Sequence, residues 1–352
     1  MNRRVVVAMS GGVDSSVAAA LLLEQGYEVI GVTMQIWPQP DKEGACCSLS
    51  AVEDARRVAA KLDIPYYVLN FQDLFEKEVI ENFCSEYQRG RTPNPCIRCN
   101  EKIKFEALLT RARQLDAAYL ATGHYARVQK ANDRYLLYRA LDPQKDQSYV
   151  LYGLRQEQLR HLLFPLGELS KAQTRAIAAQ YHLPVAQKAE SQEICFVPDD
   201  DYRAFLSQRL EQKPGEIVDS TGRVLGRHSG IANFTIGQRR NLGLGNTGRR
   251  YYVLRLDPER NQVVVGEKEE LYQKSLIAED LNFIPFPALT EPLQVEAQIR
   301  YNAPRTPALI TPKGSQVQVD FASPQPAITP GQAVVFYQGD LVVGGGTIVK
   351  GM

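Results

Sequence analysis

Residues 5–24, VVVAMSGGVDSSVAAALLLE, set two adjacent glycines between a short apolar run and a run rich in Ala and Leu. Val5 to Met9 is apolar and largely β-branched, the composition of a buried strand. Ser15 to Glu24 has the composition of a helix. The turn between them, Ser10-Gly11-Gly12-Val13-Asp14-Ser15, carries residues without a Cβ, which lets the backbone take unusual conformations and approach a ligand closely. Successive N–H groups converge on an anion in such a turn, and the helix N-terminus adds partial positive charge. The stretch is therefore expected to bind phosphate. It is not a Walker loop, which needs a Lys after its second conserved Gly, nor a dinucleotide fingerprint, which needs G-x-G-x-x-G.

SGGVDSS resembles instead the PP-loop of the ATP pyrophosphatases. Those enzymes split ATP between its α and β phosphates and place AMP on an oxygen to be displaced. Glu28 to Trp37 reads as a second buried strand. Ligands of parallel sheets sit beyond the carboxyl ends of the strands. Met34 is thus either a wall for the adenine or ordinary strand core.

The length of 352 residues exceeds one ordinary core and predicts two or three domains. Hydrophobic content of 44% and charged content of 23% describe a globular protein. No apolar run reaches the roughly 20 residues of a membrane span. The phosphate-binding unit starts so early that a cleaved signal is not expected. Six cysteines without such a signal favour a reducing cytoplasm and functional thiols over a disulfide scaffold. A net charge of +1 argues against a protein that coats nucleic acid indiscriminately, so a nucleic-acid partner would need a local basic face.

Further along, Ala51–Leu62 and Asp73–Tyr87 read as helices around a third strand, Tyr66–Leu69, and Cys84 falls on an inner helix face. Adjacent Cys46 and Cys47 point different ways and read as structural. The alternation predicts an open α/β sheet. Residues 90–100, GRTPNPCIRCN, hold two prolines and predict a loop, with a helix resuming over Glu101–Leu115. Cys99 would then lie just ahead of a helix N-terminus between Arg98 and Lys102, both of which favour thiolate. Ala117–Ala126 reads as a strand running into Thr122-Gly123-His124, where Gly123 would admit a nucleotide and His124 is a site candidate. Val128–Leu141 predicts a hairpin around Asn132-Asp133. Lys145-Asp146-Gln147-Ser148 reads as a helix cap. Gln156–Leu163 and Ser170–His182 read as helices, and Ser191–Val197, with Cys195, as an extended segment. From Tyr202 short strands and turns dominate. Arg223 to Arg255 holds seven arginines and no acidic residue, with aromatics interleaved, as a polyanion-binding surface would. The closing strands Leu293–Tyr301, Pro307–Thr311, Gln316–Phe321, Ala333–Tyr337 and Leu341–Lys350 predict a small antiparallel barrel.

Taken in order, SGGVDSS, GRTPNPxxxCN followed by KF, ATGHYA, KDQSYVLY, SQEICF, FTIGQRRNLG, RYN and GQ resemble the bacterial tRNA-specific 2-thiouridylases, the MnmA/TrmU family, over essentially the whole chain. The resemblance implies an α/β protein: a parallel-sheet PP-loop domain (residues 1–200), a small mixed central domain (201–275) and a C-terminal antiparallel β-barrel (276–352). It implies ATP- and Mg²⁺-dependent insertion of sulfur at C2 of the wobble uridine of tRNAs for Lys, Glu and Gln. A sulfur-relay protein or cysteine desulfurase would supply the sulfur. Residue by residue, Ala8, Met9, Ser10, Gly11, Gly12, Val13, Asp14, Ser15, Met34 and Gly123 would hold ATP. Cys99 would be the catalytic thiol and Cys195 the persulfide carrier. Asn94, Pro95 and Cys96 would lie against the target base, and His124, Lys145, Asp146, Gln147, Arg300, Tyr301 and Gln332 would touch tRNA.

The best-known family pattern reads Asp-x-x-Cys where this chain has Cys96-x-x-Cys99, so a carboxylate expected to assist proton transfer is replaced by a thiol. This leaves two arrangements. In one, Cys99 and Cys195 form a persulfide relay. In the other, Cys96, Cys99 and Cys195 hold a 4Fe–4S cluster with one open iron. Outside this family the alternatives are an amidotransferase-type PP-loop synthetase, or a zinc-stabilised RNA-binding protein without catalysis, for which a second close cysteine pair is missing.

Overall fold

The computed structural model describes residues 3–37, 49–189, 194–245 and 249–352. The chain divides into two compact units: Met1–Val79 with Cys96–Asp200 and Asp340–Val342, and Ile80–Pro95 with Asp201–Gly339 and Val343–Met352.

The first unit is built on a five-stranded sheet. Strand β1 (Arg4–Ala8) runs parallel to β2 (Glu28–Gln35) on one side and to β4 (Tyr119–Ala121) on the other. Strand β3 (Tyr66–Asn70) extends the sheet beyond β2, and the two-residue strand Leu162–Leu163 extends it beyond β4, both parallel. The chain builds outward from β1 in one direction, then returns to build in the other. The carboxyl end of β1 is therefore the switch point at which open α/β sheets leave a crevice. Helix α1 (Val13–Glu24) leaves from that point with Val17, Ala18, Ala19, Ala20 and Leu22 all buried, its small side chains allowing close packing. Helix α2 (Leu49–Lys61) buries Ala51, Ala55, Val58 and Ala59. Val5, Val7, Val17, Leu22, Val58 and Leu166 share one core.

Two expectations are corrected here. Gln156–Leu163 is not one helix: the helix stops at Leu159, and Leu162–Leu163 pairs with Leu120–Ala121 as the fifth strand. The expected loop 90–100 ends early, because Pro95–Cys99 is already helical and continues through a wider π-helical stretch, Asn100–Leu108, into Leu109–Gln114. Pro95 sits at the first helical position, where its fixed φ suits the helix and its missing N–H costs nothing. The hairpin expected around Asn132 forms, with Ala126–Ala131 against Arg134–Arg139 and Asn132 at φ 53°.

The second unit holds a four-stranded sheet of Gly215–Asp219, Val224–His228, Tyr252–Asp257 and Gln262–Gly266 over Ile217, Phe234, Val253, Val263 and Val265. The expected antiparallel barrel is also there. Strand Tyr272–Phe283 pairs with Gln316–Pro326 on one edge and with Leu341–Gly351 on the other, closing the ring. Val317, Val319 and Phe321 alternate inward, the period of a strand with one buried face.

Candidate active site

The phosphate loop is tied to itself by short hydroxyl side chains. Ser15 Oγ accepts from Ser10 N at 3.2 Å and donates to Gly12 O at 3.3 Å, and Ser16 Oγ donates to Gly12 O at 2.8 Å. Gly11 has φ +69°, and a Cβ there would fall 2.2 Å from Ala51 O, so no other residue fits. Gly12 occupies the N-cap of α1 without a side chain to cap it. The N–H groups of the first turn are thus left for a ligand rather than for a capping oxygen. Gly123, just past β4, is pressed onto this turn: its Cβ would lie 2.6 Å from Ser15 N. Met9 takes part through its backbone, donating to Val32 O at 2.8 Å and accepting from Thr33 Oγ1 at 2.7 Å, while its side chain is core. Met34 is half-buried near the carboxyl end of β2.

Two lysines that sequence reading did not single out complete the loop. Lys171 Nζ donates to both carboxylate oxygens of Asp14 at 2.7 and 2.9 Å, and Tyr125 Oη donates to the same carboxylate at 2.9 Å. Lys188 Nζ donates to Gly11 O at 3.1 Å and to Asp54 at 2.6 Å. Burial pushes the Asp54 carboxyl up, but Lys188 and Arg57 outweigh it and hold it below the usual range. These lysines lie 157 and 177 residues from their loop partners, so no local spacing could reveal them. The available signal is an absence: a polyphosphate loop that carries a carboxylate and no cation needs one from elsewhere.

The thiols stand differently from expectation. Cys96 and Cys99 lie on helix Pro95–Cys99, not on a loop; Cys96 is exposed and Cys99 is 9% exposed. Arg98 is committed to Glu78, through Nη2 to the carboxylate at 2.7 Å and Nε to the carbonyl at 3.1 Å. Lys102 pairs with Glu106 at 2.9 Å. The flanking cations therefore spend their charge on these carboxylates. Asn100, 1% exposed, donates to Val150 O at 3.0 Å and fastens the helix to the Ser148–Leu151 turn. Cys195 is half-buried, while Ser191, Gln192 and Glu193 of its motif, and Cys46 and Cys47, lie outside the described residues. Among the described residues no three His, Cys, Asp or Glu side chains converge as metal ligands. Cys96, Cys99 and Cys195 thus form no ready-made cluster site among the described residues, and one thiol of the helix faces solvent while the other is inside.

His124 is buried beside Phe105 and Phe164, with ring centroids 5.8 and 6.0 Å away, and its Nδ1 is 2.7 Å from Thr122 Oγ1. Burial, and then Lys104, drive its pKa well below the ordinary 6.5, so the ring is neutral. Asp146, one residue before the N-cap Gln147 of the Ser148–Leu151 turn, accepts from Ser148 N at 3.2 Å and Ala140 N at 3.0 Å and pairs with Arg139 at 3.0 Å. Gln147 Oε1 accepts from Tyr125 N at 2.9 Å, and Lys145 is half-buried. These bonds hold the segment's shape.

In the second unit, Gln332 Nε2 donates to Thr92 O at 2.9 Å, two residues before Asn94. Arg300 donates to the carbonyls of Pro326 and Ala327, and Tyr301 is exposed. Arg239, Arg240, Arg249 and Arg250 are exposed. The basic run does find carboxylates beyond its own ends, Arg249 with exposed Glu267 at 3.7 Å and Arg255 with half-buried Asp257 at 4.0 Å, both at long range.

Three family profiles match in sequence: a tRNA methyl transferase HUP domain over residues 3–199, a tRNA methyl transferase PRC-barrel domain over 203–267, and an aminomethyltransferase beta-barrel domain over 273–348. The tRNA-specific 2-thiouridylase MnmA of Carboxydothermus hydrogenoformans is 59% identical over 358 residues, covering 99% of this chain and 98% of its own. That of Heliobacterium modesticaldum is 58% identical, covering 100% and 94%. The chain belongs to the tRNA-specific 2-thiouridylase (MnmA) family. A solved 4-thiouridine synthetase–RNA complex with bound ATP aligns over 58% of this chain and 50% of its own at 18% identity, with a TM-score of 0.41, too low to bear on function. Members of the MnmA family match this chain end to end, so the loop, the thiols and the barrel all fall within the shared region. No helix among the described residues is long and apolar enough to cross a membrane.

Proposed function

We propose that this protein is an ATP-dependent tRNA-uridine 2-sulfurtransferase acting on the wobble position. The observation that carries the reading is the apposition of Gly123 to the uncapped start of α1 behind SGGVDSS, in a chain that matches thiouridylases over its full length. The family profiles are described in terms of methyl transfer, but a polyphosphate loop and helix-borne thiols suit activation by ATP followed by sulfur delivery.

The oxygen at C2 of uridine is a poor leaving group. Transfer of AMP from ATP turns it into a good one, and pyrophosphate leaves into the loop formed by Ala8, Met9, Ser10, Gly11, Gly12, Val13, Asp14 and Ser15, with Met34 and Gly123 beside the nucleotide. Mg²⁺ accompanying the ATP would offset phosphate charge, with Asp14 the carboxylate at hand. The terminal sulfur of a persulfide on Cys195 forms the new bond to C2 as AMP departs. Cys99 thiolate then attacks the Cys195 sulfur, the S–S bond breaks, and thiolated tRNA is released. A Cys99–Cys195 disulfide remains, and a dithiol reductant must supply two electrons to reset it. The target base must leave its stack to react, and Asn94, Pro95 and Cys96 would receive it. His124, Lys145, Asp146, Gln147, Arg300, Tyr301 and Gln332 would support tRNA directly or by shaping its contact segments. A relay protein or desulfurase would load Cys195, in a reducing cytoplasm.

The test is pyrophosphate release from ATP with and without wobble-uridine tRNA, alongside 2-thiouridine content by mass spectrometry when a persulfide donor is supplied. Release that depends on tRNA, with thiouridine formed, is expected; ATP turnover indifferent to tRNA would remove the reading.

A further inference from the structure

SGGVDSS offers a phosphate backbone dipoles and serine hydroxyls but no cation, and adds a negative charge of its own at Asp14. An ATP triphosphate brings several more. A Walker loop solves the same problem with a lysine inside its own sequence that reaches the β- and γ-phosphates.

Here the fold delivers cations to both ends of the loop. Lys171 reaches Asp14 at the start of α1, and Lys188 reaches the Gly11 carbonyl at the opposite end. The Lys171 and Lys188 side chains are only 13% and 27% exposed. Ordering long side chains this far from open solvent costs entropy and hydration, and partly exposed ion pairs return little. Stability alone is a weak reason for both to end on the same six-residue turn.

One helix, Lys171–Gln180, sets both. Lys171 is its first residue, with its N–H held by Asp142 at 3.1 Å and the preceding Ser170 capping the helix by accepting from Gln173 N at 3.2 Å. Arg175, one turn on, holds the carbonyls of Ala186 at 3.0 Å and Lys188 at 3.2 Å. Both backbones are therefore fixed, while each ammonium sits on a flexible four-carbon stem that can pivot between acceptors.

We propose that Lys171 and Lys188 are the pyrophosphate-binding residues of this site, held on Asp14 and Asp54 when no nucleotide is present and turning to the β- and γ-phosphate oxygens of ATP, and then to the released pyrophosphate. The inference rests on the ATP reading of the loop and deepens it, since it assigns the charge that separates ATP and pyrophosphate from AMP.

The experiment titrates ATP, pyrophosphate and AMP against the full-length protein, as Lys171→Met, Lys188→Met, Asp14→Asn and the double variant Asp14→Asn/Lys171→Met, with thermal unfolding as a check on folding. Each lysine variant is expected to weaken ATP and pyrophosphate by about tenfold or more while AMP stays within about twofold, as removal of a charge-assisted phosphate contact requires. If Lys171 only neutralises Asp14, the double variant binds ATP as tightly as Asp14→Asn alone, and the proposal is overturned for Lys171. Unchanged ATP affinity in both single variants, or AMP weakened in parallel with ATP, overturns it outright. Failure of the wild-type protein to bind ATP at all is a different result, because it removes the nucleotide reading itself.

Discussion

A Cβ on Gly123 would stand 2.6 Å from the amide nitrogen of Ser15 and 2.8 Å from the carbonyl carbon of Asp14. Both are backbone atoms at the start of a buried helix and have no room to yield. Gly123→Ala is therefore expected to displace the phosphate loop, weakening ATP binding by at least tenfold and costing about 1–3 kcal/mol of stability. Gly11→Val combines a worse clash with a strained φ and should do more. Nucleotide titration and denaturant unfolding of both variants read the two effects, and wild-type affinity in either would show that the nucleotide lies elsewhere.

Thiol substitutions separate the sulfur relay from a cluster. Cys99→Ser and Cys195→Ser should each abolish 2-thiouridine formation while ATP affinity stays within a few-fold of wild type, because neither belongs to the phosphate loop. Cys96→Ala, exposed on the same helix, should still thiolate tRNA without bound iron. Iron-dependent activity abolished in Cys96→Ala would restore the cluster.

Neutralising Arg239, Arg240, Arg249 and Arg250 should weaken tRNA binding and lower the slope of log affinity against log salt by about one per phosphate no longer neutralised. Filter binding across a salt series measures this. An unchanged slope would leave the segment a solvated face.

His124 makes stability depend on acid. Its folded pKa lies below the ordinary 6.5, so above that value both states are neutral and its contribution is complete. As pH falls below about 6.5, the unfolded chain takes up a proton that the folded protein refuses, removing up to about 1.4 kcal/mol per pH unit. His124→Gln should flatten the wild-type decline in melting temperature below that pH and leave the neutral region unchanged in slope. Parallel curves for the two proteins would mean that the imidazole is reached by water.

The sequence made the strand–loop–helix legible because β-branched residues, paired glycines and an Ala-rich run each favour the same local geometry as the tertiary fold. The barrel was legible from short strands at close spacing punctuated by Pro and Gly, and the inward alternation at Val317, Val319 and Phe321 is what that spacing packs. Leu162–Leu163 was not, since two residues carry no period and pair only because β4 lies beside them. Residues 90–100 misled because two prolines in a stretch without apolar periodicity read as a loop, although Pro95 suits the first turn of the helix that it opens. Lys171 and Lys188 were invisible for a different reason: their meaning comes from the loop they reach, and the chain gives no local sign of that distance.

The π-helical stretch Asn100–Leu108 begins directly after Cys99. Each residue of an α-helix turns the chain by about 100°, and a π turn holds one residue more than its surroundings need. The wider turn absorbs that surplus residue, so the thiol-bearing turn and the rest of the helix down to Gln114 keep their phase. Deleting one residue from 100–108 would keep the helix, close its hydrogen bonds into α spacing, and leave Cys99 close to its present phase relative to the turns that follow. The direction of the thiol is thus buffered against a change of one residue in the stretch that follows it.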